Sequence, residues 1–348
     1  MKELAETALN AAQVKGAAYA DVRITHHLQQ NLAVKNGALA SVSDDSTEGF
    51  GVRVLVNGAW GFAGSARLNR DEVELVVERA MRIARASGRV LTTRVNLGSP
   101  VTSRGEYSTP VERDPFAVPL SEKVDLLLRA DAAMGETEGV TVREGSMEFI
   151  RELKLFASTE GAFTEQTLYE SGAGIEATAT SPDDVQTRSY PNSFGRHQGA
   201  GGYEYVVALG LDRHGGRIGD EAVALLKAPQ CPGGVRTLIL DASQTALQIH
   251  ESCGHPTELD RVFGMEAAYA GTSFMTPEKL NHLRYGSSSV TITADALTPT
   301  GLGTFGWDDE GVPAQRTFLV DKGLFVGYLT SRETASMLGQ QSNGTMRA

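Results

Sequence analysis

A chain of 348 residues, 41% hydrophobic and 22% charged, has ample length for a sizeable core and reads as an ordinary globular protein of two domains, or of one large one. Its net charge of -11, with no run of Lys and Arg, counts against direct nucleic-acid binding, because phosphate backbones demand clustered basic side chains. No apolar run reaches the length of a membrane span, Met1–Glu6 has no signal-peptide pattern, and two cysteines make no disulfide framework, so a cytoplasmic location is expected.

Glu3 to Lys15 places Leu4, Ala8, Ala11 and Ala12 at helical spacing. Ala20 to Leu28 then alternates towards strand, which points His26 and His27 to opposite faces and makes them surface side chains. Asn36-Gly37 and Asn57-Gly58 each separate strand-like runs, and Asn-Gly favours a two-residue hairpin turn because both positions tolerate positive φ. Phe50 to Val56 is the clearest strand of this half. Asn69 is placed to cap a helix with Asp71 and Glu72 in its first turn and Val73, Val76, Val77, Ala80, Ile83 and Ala84 as its apolar stripe. The segment from Gly98 to Pro119 holds four prolines and reads as a loop. Ser121 to Met134 reads as a helix with Leu126, Leu127 and Ala130 inward, and Val140 to Thr180 returns to strands. Helices packed on a largely antiparallel sheet, an α+β arrangement, suit this half.

Gly199 to Gly202 lacks the lysine and hydroxyl of a phosphate loop and reads as a turn. The domain boundary is expected at Pro229–Gly234, giving an N-terminal α+β domain at 1–228 and a C-terminal domain at 229–348. Beyond it, Arg236 to Leu240 reads as a strand leading into a helix, with further strands at Ser289–Thr293 and Thr317–Val320 and a turn at Asp321–Gly323 before Leu324–Tyr328. His197, His214 and His282 are isolated and read as solvated, and Asp308, Asp309 and Glu310 read as a solvated acidic turn rather than a cation site.

The most informative stretch is Leu247 to His255, in which His250 and His255 bracket Glu251. Imidazole is a good zinc ligand, and a neighbouring glutamate can take a proton from metal-bound water. The histidines are five residues apart, however, and at about 100° per residue they stand about 140° apart on an ideal helix. A local π-type turn, which pairs residue i with i+5, would bring them together. Gly254 inside the turn would ease the distortion, and Pro256 would end the helix. The alternative from spacing alone is a core histidine beside a surface glutamate. Cys253 reads as a small buried residue, with a local ligand or a thiol nucleophile as other readings.

His-Glu-x-x-x-His after an apolar lead-in resembles the TldD/PmbA family, whose TldD-like members are zinc metallopeptidases. The resemblance extends to Gly49–Val54 with Gly61-Phe62-Ala63, to Asp308–Pro313, and to Gly323–Tyr328 followed by Ser331–Ala335. It implies that His250 and His255 bind Zn2+ and that Glu251 is the general base activating water on the metal. It also implies peptide or unfolded-protein substrates and a dimer, either with a second copy or with a PmbA-like subunit. An extended substrate is then read by addition to a sheet edge. The family's third ligand is a cysteine from a more C-terminal region. Neither Cys231 nor Cys253 matches its position, so the resemblance implies a truncated C-terminal domain, with Glu258 and Asp260 as weaker substitutes. The rival expectations are a non-catalytic binding or assembly subunit of a TldD/PmbA-type complex and a zinc hydrolase of another class, such as an amidase.

Overall fold

The computed structural model describes residues 1–347. Helix α1 (Lys2–Val14) leads into three strands, β1 (Tyr19–Lys35), β2 (Ala38–Val56) and β3 (Ala59–Ser65). The two Asn-Gly turns join them: Asn36 and Gly37 have φ of 49° and 81°, and Asn57 and Gly58 have φ of 53° and 83°. Helix α2 (Arg70–Ser87) follows, with the Asn69 side chain accepting from the Glu72 amide at its first turn. Its buried stripe is Val73, Val76, Val77, Ala80, Met81 and Ala84, whereas Ile83 faces solvent at 41% exposure. The proline-rich stretch is not wholly loop, because β4 (Arg104–Ser108) adds a short strand there. After α3 (Leu120–Gly135) come β5 (Val140–Ser158), β6 (Phe163–Thr180), β7 (Val185–Tyr190), β8 (His197–Ala200), α4 (Tyr203–Leu209) and α5 (Leu211–Leu225).

These strands form one eight-stranded sheet in the order β3-β2-β1-β5-β6-β4, with β7 and β8 also pairing with β6. All pairings are antiparallel except β4 with β6. At one end of the long strands, Val22, Ile24, Val52, Val54 and Leu155 pack under α1 and α2. At the other end, Leu32, Val34, Met147, Phe149 and Ile175 pack under α3, α4 and α5. In β1 and β5 the two groups share parity, so the helices cover one face of the sheet. Burying a Val, Leu or Ile side chain of this kind contributes roughly 1.5–3 kcal/mol.

The opposite face carries Asp21, Arg53, Lys154 and Gln166, and the C-terminal part docks there through Lys154–Asp309, Arg53–Glu310 and Gln166–Trp307 contacts. Residues 229–240 run exposed and without regular structure, so Arg236–Leu240 is not the expected strand; among the described residues no strand pairs with it, and Leu238 and Ile239 are 78% and 91% exposed. The remaining elements are α6 (Ala242–Ile249), α7 (Leu259–Val262), a small antiparallel sheet of β9 (Ile292–Asp295), β10 (Arg316–Asp321) and β11 (Leu324–Phe325), and α8 (Arg332–Met337). No helix is long and apolar enough to cross a membrane among the described residues.

Candidate metal centre

Helix α6 is started by Asp241, whose carboxylate accepts from the Gln244 amide at 2.9 Å and from the Ser243 hydroxyl at 2.8 Å. It ends in a π turn over His250–Gly254, closed by the His255 amide donating to the His250 carbonyl, the i+5 bond that the spacing of the two histidines requires. Pro256 follows in a single 3-10 turn.

The result is that the His250 and His255 rings lie 4.4 Å apart, centre to centre, at 80° to one another. One ligand atom from each of His250, Glu251 and His255 lies within 4.8 Å of the others. On a regular α-helix these side chains would diverge. Two imidazoles and a carboxylate form a donor set that suits zinc. Among the described residues no further histidine, cysteine or carboxylate joins them.

A π turn leaves backbone carbonyls without their usual helical partners, and side chains here supply replacements. The Thr257 hydroxyl donates to the carbonyls of Cys253 (2.8 Å) and Gly254 (2.9 Å). The Tyr285 hydroxyl donates to the Ser252 carbonyl at 3.1 Å. Cys253 anchors the turn on the small sheet, buried with Ile292, Leu319 and Val320. Its side chain is fully buried and stands outside the His250–Glu251–His255 donor group, which supports the packing role, and burial pushes its thiol up to about 11. Gly254 adopts ordinary helical dihedrals, and a Cβ there would meet only the Ile249 carbonyl oxygen, at 3.8 Å. Relief of strain by a missing side chain is therefore not needed in this turn.

Glu258 and Asp260 do not join the group formed by His250, Glu251 and His255. The Glu258 Oε1 lies 2.9 Å from His255 Nδ1 and its Oε2 accepts from Arg261 Nε at 3.0 Å, while Asp260 accepts from the Arg261 amide.

The acidic segment also differs from the solvated turn expected of it. Asp308, Asp309 and Glu310 are each 2% exposed or less. Asp308 accepts from the amides of Glu310 and Val312, Asp309 pairs with Lys154 at 2.9 Å, and Glu310 accepts from Arg53 (3.1 Å) and the Arg332 amide (2.6 Å). Burial pushes the Asp308 carboxyl up to about 7, against the pull of the Val312 and Glu310 amides. His214, expected to be solvated, instead stacks on Tyr190 with ring centres 4.0 Å apart.

A cavity of about 630 Å3 opens beside His255, between the N-terminal hairpin and the metal motif. Arg53 and Trp60 form its hairpin side, and Glu310, Glu333 and Tyr269 contribute from the C-terminal part. Arg53 stacks over Trp60 at 4.4 Å, and the Trp60 indole donates to Glu333 at 2.8 Å. The roles of Tyr285, Arg53 and Trp60 carry no local sequence signal, since each depends on contacts made across the fold, whereas Thr257 acts locally, on carbonyls three and four residues before it.

The donor set describes a candidate metal centre. Residues 20–84, 113–228 and 233–348 match, in turn, the PmbA/TldA metallopeptidase domain 1, central domain and C-terminal domain models. A Methanothermobacter thermautotrophicus protein named a metalloprotease is 31% identical over 332 residues, covering 95% of this chain and 68% of the relative. A Saccharolobus solfataricus protein named a zinc metalloprotease TldD homolog is 21% identical over 98% of this chain and 71% of its own length. Among solved structures, a Thermotoga maritima protein named for a proposed modulation of a DNA gyrase superposes with a TM-score of 0.77 at 19% identity, covering 100% of this chain and 74% of that one. TldE from Thermococcus kodakarensis superposes with a TM-score of 0.66 at 16% identity, covering 99% and 73%. The chain belongs to the PmbA/TldD metallopeptidase family.

Proposed function

We propose that this chain is a zinc-dependent metallopeptidase acting on peptides or unfolded protein segments, with His250 and His255 as metal ligands and Glu251 as general base. The observation that carries this reading is the convergence of those three groups on one π turn beside the cavity. A zinc ion held there supplies Lewis acidity towards a peptide carbonyl and eases loss of a proton from water.

Glu251, exposed on the same turn as the two imidazoles, takes the proton of the attacking water in this reading. The water oxygen bonds to the carbonyl carbon, the C–N bond breaks, and the proton passes from Glu251 to the leaving amine. The Arg53–Trp60 wall lines the same cavity as His255 and orients substrate across it. An extended substrate is read through its main chain, by addition to a sheet edge. The reading extends to a dimer, with a second copy or with a PmbA-like subunit, in the cytoplasm.

One observation favours a second reading, a non-catalytic binding or assembly subunit: a catalytic zinc usually has three protein ligands, and only the one turn contributes donors among the described residues. Zinc-loaded protein assayed on unfolded proteins, peptides and simple amides decides between these readings. Turnover of peptides that Glu251→Gln abolishes, with zinc content nearly intact, supports the peptidase. Equal activity in Glu251→Gln refutes the assigned base, and peptide binding without turnover in the parent protein supports the second reading.

A further inference from the structure

Metal-binding histidines need a neutral ring with one unprotonated nitrogen aimed at the cation, and the partner of the other nitrogen decides which one that is. The two histidines of this turn differ in that respect. Among the described residues the His250 ring has no hydrogen-bond partner, whereas His255 Nδ1 lies 2.9 Å from Glu258 Oε1. A carboxylate accepts hydrogen bonds, so in a neutral His255 ring this contact puts the proton on Nδ1 and the free lone pair on Nε2. The Arg261 guanidinium is also near Nδ1, but at 3.5 Å it is a poor competitor for the 2.9 Å contact.

We propose that Glu258 is a positioning residue that sets the tautomer and ring orientation of His255, directing Nε2 to the metal, and that Arg261 holds Glu258 in this role. The inference rests on the metal reading of His250 and His255. Glu258 is fixed from both sides. Its second oxygen accepts from Arg261 Nε at 3.0 Å, and Arg261 also donates to the Ala270 carbonyl at 3.3 Å. Its backbone is held between the Leu259 amide donating to Leu329 and the Leu329 amide donating to Thr257. The side chains of His255 and Glu258 are 33% and 30% exposed, so solvent screens the pair and it adds little to stability. Its effect is directional: a ring held in place loses less freedom on binding a cation. Removing such an outer partner typically lowers metal affinity about 10–100-fold.

The test compares the full chain with Glu258→Ala and Glu258→Gln. Long-range nitrogen–proton NMR of the metal-free imidazoles reads the tautomers, with His255→Ala assigning the signals and His250 as the internal control. The parent protein should show His255 protonated on Nδ1 and His250 as a mixture. Glu258→Ala should convert His255 to a mixture, leave His250 unchanged and weaken zinc binding about 10–100-fold in chelator competition. Glu258→Gln, whose amide oxygen still accepts from Nδ1, should stay within a few-fold of the parent. A parent His255 protonated on Nε2, or Glu258→Ala with parental zinc affinity, overturns the proposal. Zinc binding that is absent from the parent sinks the metal reading itself, whereas parental binding left unmoved by Glu258→Ala sinks this inference alone.

Discussion

Thr257→Val probes the device that brings the two histidines together. Thr257 is fully buried, and its hydroxyl serves the carbonyls of Cys253 and Gly254. Valine keeps the branched shape and removes the hydroxyl. The Gly254 carbonyl belongs to a half-buried residue with some access to water, but Cys253 is buried and its carbonyl loses its partner. A buried polar group left unsatisfied costs about 1–3 kcal/mol. If that cost falls wholly on the π turn relative to a regular helical turn, zinc affinity weakens by at most about 5–150-fold, at 1.4 kcal/mol per factor of ten. The assay is zinc competition with a chromogenic chelator, alongside thermal melts by circular dichroism, with Thr257→Ser as the control that retains the hydroxyl. Parental affinity and melting in Thr257→Val would show that the hydroxyl does not hold the turn, and the reasoning would fail.

Gly254→Ala should leave zinc affinity unchanged and raise stability by about 0.4–1 kcal/mol, because the site has room for a Cβ and helical dihedrals that alanine adopts freely; a drop in either would restore a steric role for the glycine. For Asp308, the folded-state value of about 7 lies above the ordinary 3.8, so the folded chain favours the protonated form. Its stabilising contribution is fully present below about pH 4 and is lost as pH rises through 7, an effect of at most about 4 kcal/mol. Urea midpoints at pH 5 and pH 8 should therefore differ more in the parent than in Asp308→Asn; equal pH dependence in the two proteins would contradict the assignment.

Local signals in the chain report local structure well. The Asn-Gly pairs, the Asn69 cap and the five-residue histidine spacing each specify a backbone geometry from a few adjacent residues, and each is found in the fold. Helix α5 is harder to see, because Gly215, Gly216 and Gly219 interrupt its apolar stripe. Two of those glycines are there for packing. A Cβ on Gly215 would lie 2.7 Å from the Ala130 carbonyl oxygen, and one on Gly219 would lie 3.0 Å from that of Met134, so α5 sits directly against α3. The burial of the acidic segment was also hidden. Its charges are matched by Lys154 and Arg53, which lie 155 and 257 residues away in the chain from the groups they pair with. Arg236–Leu240 has strand-forming side chains, but a strand also needs a neighbour, and periodicity carries no information about one.

The most direct test of the central claim is the ligation of zinc in the purified chain, read by metal analysis together with X-ray absorption at the zinc edge. One zinc per chain with two imidazole nitrogens in its first shell, reduced to one by either His250→Ala or His255→Ala, is the expected result. A chain that takes up no zinc, or one whose bound zinc keeps the same shell in both variants, would contradict it.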